Sequence, residues 1–269
     1  MHCDASCPIG IFDSGVGGLT VARAVMDRLP NENIVYFGDT ARVPYGVKSP
    51  DTVARYAAEI TKFLLSRNVK LLIVACNTMA AVALPAITAL SPVPVIEVID
   101  AGARSALAVT TTKRIGIIAT PSTVASRAYE QALAAIGGPE VHTVARACPL
   151  FVPLVEEGWL DHPATRLVAV EYLAPLLAER LDTLILGCTH YPLLAPLLAE
   201  VAGPAVRLQD SATAVAARAG AILDRTGLRN ASAGPARYDF HVTDMPHRFE
   251  EIGSRFLGRS MDNIHLEKM

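Results

Sequence analysis

The stretch that most limits what this chain can become runs from Lys70 to Leu90. Leu71 to Ala75 is an unbroken apolar run of the kind that forms strands buried on both faces. It stops at Cys76-Asn77-Thr78, and a helical pattern follows from Met79. The spacing predicts a strand-to-helix corner with Cys76 at the carboxyl end of the strand. Open α/β sheets bind ligands at that end. The free amides and dipole of a starting helix favour negative charge there, a thiolate included.

The device recurs downstream. Asp182 to Cys188 reads as a second buried strand, followed by Thr189-His190 and a helical pattern from Tyr191 to Val201. A single cysteine in such a place is usually a small hydrophobe in the core. Two in matching contexts, each followed by hydrogen-bonding residues, point to chemistry.

The rest of the chain alternates in the same way. Pro8 to Phe12 is a short strand that runs into Asp13-Ser14-Gly15-Val16-Gly17-Gly18, and Leu19 to Leu29 continues as an amphipathic helix. A glycine-rich loop opening a helix can cradle an anion. The dinucleotide fingerprint needs a further glycine where Thr20 stands, although Asp39, closing the strand Asn33 to Gly38, is spaced like a ribose-binding acid. Arg42 to Gly46 is a loop fixed by Pro44 and Gly46, and Asp51 to Arg67 is a helix. Val93 to Ile99 reads as a strand. A second round follows: strand Ile115 to Ala119, a polar corner at Thr120 to Thr123, helix Val124 to Ile136 and strand Val141 to Ala145. Cys148, read as packing, opens a segment carrying Glu156, and His162 to Arg180 is helical. Val206 to Gln209 is a strand, Ala212 to Arg225 a helix, Arg237 to Thr243 an edge-type strand, and Asp244-Met245-Pro246 caps a closing helix. The echo predicts an α/β protein of two similar open-sheet domains related by a pseudo-two-fold, with the active site in the cleft between them. One domain spans 1–99 plus 211–269 and the other 100–210.

Composition narrows the class. At 269 residues, 51% hydrophobic and 19% charged, the chain can bury a real core and is not disordered. A formal net charge of −2 gives no electrostatic case for nucleic acid or an anionic membrane as partner. The uncharged run from Leu71 to Ile96 is broken by Asn77, Pro85, Pro92 and Pro94, which argues against a transmembrane helix. Met1 to Pro8 has no basic region followed by an apolar stretch, so no signal peptide is expected. Five cysteines without a dense framework fit free thiols in a reducing cytoplasm. His2, Cys3 and Cys7 fit no strong zinc signature, so the expectation is a disordered tail and no metal.

Two equivalent thiols on opposite walls of a cleft suit the inversion of a stereocentre: one takes an α-proton while the other donates to the opposite face. The α-proton of an amino acid is weakly acidic, so fixed donors must stabilise the carbanionic transition state. Asn77, Thr78, Thr189, Ser14 and the loop amides are such donors, and Asp13 and His190 stand where they can tune or relay protons. Pyridoxal phosphate would need a Schiff-base lysine. The only lysines are Lys48, Lys62, Lys70, Lys113 and Lys268, none on a strand-end corner, which favours a cofactor-free reaction.

Five motifs in order then carry a specific resemblance. They are Gly10 to Leu19, Pro44-Tyr45-Gly46, Ala75 to Thr78, Ala147 to Glu156 and Gly187 to Leu194, and together they resemble glutamate racemase, within the cofactor-independent aspartate/glutamate racemase superfamily. The likeness is close from Pro8 to about Gly220. It implies that Cys76 abstracts the α-proton of D-glutamate and Cys188 that of L-glutamate. Asp13 would assist the first thiol and His190 the second, with Glu156 near His190. Ser14, Tyr45, Gly46, Asn77, Thr78 and Thr189 would hold the substrate, with Asp13 and His190 also against it and Thr120 or Thr123 lining the cleft. The resemblance further implies a product that feeds peptidoglycan synthesis, and a homodimer. An aspartate racemase, a nicotinamide-dependent oxidoreductase and a binding protein with inert thiols are the competing readings.

Overall fold

The computed structural model describes residues 3–232 and 234–269. Among the described residues ten strands form two sheets, parallel throughout. The first four are β1 (Ile9–Asp13), β2 (Ile34–Gly38), β3 (Leu71–Val74) and β4 (Val95–Glu97). The next four are β5 (Arg114–Ala119), β6 (His142–Ala147), β7 (Thr183–Gly187) and β8 (Arg207–Gln209). The chain then returns to the first sheet with β9 (Tyr238–Val242) and β10 (Ile264–Leu266). The six-stranded sheet runs β10-β9-β2-β1-β3-β4 and the four-stranded sheet β6-β5-β7-β8. The order β2-β1-β3-β4 is thus repeated as β6-β5-β7-β8, which is the expected pseudo-symmetry written in strand order.

In each sheet the order reverses beside the first strand, and that switch point opens a crevice at the carboxyl ends. Register sets what emerges there. Phe12 pairs with Val74 and the amide of Ala75 donates to the Phe12 carbonyl at 2.9 Å, so Asp13 and Cys76 leave the sheet side by side. Ala119 pairs with Gly187, so Thr120 and Cys188 leave the second sheet together. β1, β2, β3 and β7 are buried along their whole length, as branched apolar strands covered by helices on both faces must be.

Five local expectations are corrected. The strand read over Val93 to Ile99 ends at Glu97, whose carboxylate accepts the amides of Ile99 and Asp100 and so caps the helix Val98–Val109. Capping by Glu97 outweighs the strand propensity of Val98 and Ile99. The helix read over Val124 to Ile136 is two, Pro121–Ser126 and Ala128–Gly137, divided at Arg127 with φ 56°. β9 is not an edge, because β10 covers it; the helix after it, Pro246–Leu257, starts beyond Met245 without a side-chain cap. Residues 3–7 form a turn tied to the first sheet, with the Cys7 amide 3.2 Å from the Asp4 carbonyl and Asn33 donating to the Ser6 carbonyl at 2.9 Å. His2, considered above with Cys3 and Cys7, lies outside the described residues. Among the described residues no group of three or more His, Cys, Asp or Glu is arranged to hold a metal, and no helix is long and apolar enough to cross a membrane.

Candidate active site

Cys76 stands at the turn from β3 into the helix Asn77–Leu90, with extended backbone and its thiol 3.8 Å from the Ser14 hydroxyl. The amides of a helix start favour a thiolate at this position, and the surroundings of Cys76 act the other way. Burial pushes the Cys76 thiol up to about 12 and the Asp13 charge adds to it, while the Met79 amide and Ser14 recover only part. Asp13 is itself raised by burial, against the pull of His190 and of the Gly15, Gly18 and Ser14 amides. Its Oδ2 accepts the Gly15 amide at 3.0 Å, whereas the buried Oδ1 has no hydrogen-bond partner among the described residues. A buried unpaired acceptor costs stability.

The second corner is built differently. His190 lies two residues past Cys188, with Nδ1 3.9 Å from the Cys188 sulfur and Nε2 2.9 Å from Glu156 Oε1. Burial alone would pull this imidazole down. Hydrogen bonds to Cys188 and Glu156, and their charges, outweigh it and push His190 up to about 10. A protonated His190 is a donor toward Cys188 and can steady its anion or return a proton to it.

Both cysteines open on one cavity of about 400 Å³ between the sheets. The expected residues from the first sheet side, Asp13, Ser14, Tyr45, Gly46, Cys76, Asn77 and Thr78, line it. So do Glu156, Cys188, Thr189 and His190 from the second, whereas Cys148 does not. Thr120 also lines it, and its hydroxyl stands 3.0 Å from those of both Thr78 and Thr123, a hydroxyl cluster joining the two bodies. The Tyr45 hydroxyl is turned onto Asp39 rather than toward a ligand. No lysine lines the cavity among the described residues.

Sequence reading missed Tyr129. Its hydroxyl donates to Asn77 Oδ1 at 2.6 Å, which fixes the amide so that its NH2 is the free end. Nothing in the sequence signals a contact across 52 positions. Tyr129→Phe is expected to lower kcat/KM about tenfold, the loss of one buried hydrogen bond, with the fold retained; steady-state kinetics and circular dichroism check it. Val152 and Pro153, also unpredicted, supply apolar wall.

The far end of the glycine loop, Gly17 to Thr20, is a packing surface, while Asp13, Ser14 and Gly15 face the cavity. Thr20 donates to the Thr189 carbonyl at 3.2 Å across the two bodies, and a Cβ on Gly17 would lie 2.2 Å from Thr189 Oγ1. Asp39 is fully buried and bound by Arg42, Tyr45 and Thr243, so it is closed to a ribose. These two facts remove the support for a nicotinamide site.

The sequence profile of the family described as Asp/Glu/Hydantoin racemase matches residues 19–219. A curated protein of Syntrophus aciditrophicus named glutamate racemase is 61% identical over 257 residues, covering 96% of this chain and 95% of that one. Among solved structures, glutamate racemase from Francisella tularensis in complex with D-glutamate superposes with TM-score 0.92 at 39% identity over 98% of each chain. Glutamate racemase from Thermus thermophilus in complex with beta-chloro-D-alanine gives TM-score 0.89 at 43% identity, over 99% of this chain and 98% of that one.

Proposed function

The chain belongs to the Asp/Glu/Hydantoin racemase family, and from that membership we propose that it interconverts L- and D-glutamate by proton transfer between two cysteines. The observation that carries this reading is the pair of equivalent corners: Cys76 after β3 and Cys188 after β7 face one cavity, each with its own titratable neighbour. In the L-to-D direction Cys188, as thiolate, takes the α-proton while the Cys76 thiol gives its proton to the opposite face. Cys188 ends as thiol and Cys76 as thiolate, and the reverse turnover restores them. A Cys76 thiol that holds its proton to about 12 suits the donor role. The charge developing on the substrate carboxylate would be met by amides at the start of the helix Asn77–Leu90 and by Asn77, Thr78 and Thr189. The unpaired Oδ1 of Asp13 suits the substrate ammonium.

The surroundings of the reaction follow from the same reading. Two units, 1–99 with 211–269 and 100–210, would form the two walls, a division supported by the strand membership of the sheets. The lysine-free lining supports a reaction without pyridoxal phosphate. Free cysteines fit a cytoplasmic enzyme. D-Glutamate so formed would feed peptidoglycan synthesis, and the family resemblance supports a homodimer, which sedimentation would check.

The decisive experiment follows L-glutamate with purified protein in D2O without added pyridoxal phosphate. Loss of optical activity with one α-deuterium in the D-product is the expected result. An inert glutamate sample beside a racemising aspartate sample would move the substrate assignment, and silence in both would favour a binding protein. A pH series adds a second check. His190 keeps its proton until about 10, so turnover of L-glutamate should hold through neutrality and decline as pH approaches that value. A group raised on folding stabilises the protein fully below its ordinary value, and that stability is lost as pH rises through the folded one. Thermal stability should therefore fall between about pH 6.5 and 10.

A further inference from the structure

The helix Pro246–Leu257 packs on the helix Leu19–Arg28 and precedes β10, so it belongs with the six-stranded sheet. Its last turn nevertheless reaches the other body. Phe256, buried, meets His190 edge-on, with ring centroids 5.1 Å apart and planes at 80°. Beside it, Arg255 Nη1 lies 3.5 Å from the Val155 carbonyl and 3.4 Å from the Glu156 carbonyl. Those carbonyls end the helix Phe151–Glu156; that of Val155 also accepts the Gly158 amide at 3.0 Å, and the negative end of the helix makes a guanidinium a fitting partner. The chain beyond makes room for it: Gly158 has φ +77°, and a Cβ there would lie 2.7 Å from Arg255 Nη1. Two turns earlier Arg248 stands 3.5 Å from Glu157.

We propose that Arg255 is a positioning residue for the reaction: by gripping the carbonyls at the end of the helix Phe151–Glu156, it keeps the Glu156 carboxylate on His190 and His190 on Cys188. The inference rests on the racemase reading. The titratable groups that face His190 are Cys188, Glu156 and Asp13. Glu156 is one of the two that raise it, so a Glu156 that drifts leaves His190 titrating at lower pH.

The test compares the parent protein with Arg255→Met and Arg255→Lys, each also made in a Glu156→Gln background. The His190 imidazole is titrated by NMR, its signal assigned by loss in His190→Asn, and racemisation is followed across the same pH range. Arg255→Met should lower the His190 midpoint by about one pH unit and move the alkaline limb of kcat with it. Arg255→Lys should restore most of both, and in the Glu156→Gln background Arg255→Met should add nothing. A uniform loss of rate with an unmoved midpoint, or an equal fall in the Glu156→Gln background, would overturn the proposal. The NMR midpoint needs no turnover, so a parent protein inert toward glutamate would sink the functional reading while the link from Arg255 through Glu156 to His190 is still measured.

Discussion

Cys76→Ala and Cys188→Ala should each abolish racemisation, with kcat down at least ~10³-fold in both directions. In kcat/KM the losses in the two directions must be equal. Enantiomers have equal free energy in water, so any variant must show the same kcat/KM from L- as from D-glutamate, and no single-thiol protein can be a one-way racemase. What separates the two variants is exchange. In Cys76→Ala the remaining Cys188 can take the α-proton of L-glutamate, swap it with solvent and return a deuteron to the same face. L-Glutamate should then acquire deuterium in D2O without inverting, and D-glutamate should not. Cys188→Ala should show the opposite pattern. Cys148→Ala is the control: Cys148 is buried outside the cavity with its thiol 3.7 Å from the Arg146 carbonyl, so it should lose some stability and keep most activity. An active Cys76→Ala beside a dead Cys148→Ala would place the chemistry elsewhere.

The two corners were legible in the sequence because their physics is local. A parallel strand buried on both faces must be an apolar run, and it must stop at polar residues where the chain leaves the sheet, as at Cys76-Asn77-Thr78 and Cys188-Thr189-His190. What needed the structure is whatever depends on register or on distant partners. Glu97 reads as the inside of a strand running on to Ile99 until its carboxylate is seen on the amides of Ile99 and Asp100. Tyr129 on Asn77 and Arg255 on the Glu156 carbonyl are contacts that no spacing announces. The ionisation of Cys76 depends on both kinds of feature: the helix start, visible in sequence, favours a thiolate, while burial and the Asp13 charge, invisible there, push the thiol up.

Gly17→Ala carries the other large expected effect, and it tests what the loop Asp13 to Gly18 is for. An anion cradle would tolerate a methyl group pointing away from its amides. Here the added Cβ would lie 2.2 Å from Thr189 Oγ1 and within 2.6 Å of Nδ1 and Cε1 of His190, distances no real Cβ shows. Something must move, and the nearest groups in its way belong to the second corner. His190 is held from its other side by Glu156 and Phe256, so it cannot retreat without leaving them. Displacement of the Cys188 partner by about 1 Å should cost kcat roughly 10²-fold. Overpacking at the seam should add a loss of about 1–3 kcal/mol in stability. Gly15→Ala is the matched comparison, since its Cβ would meet only Val43 Cγ1, at 3.2 Å, and that side chain can give way. Much the smaller loss is expected there. Equal activity in the two variants, measured by kcat alongside urea unfolding, would mean that the second corner does not need this glycine and that the loop serves another end.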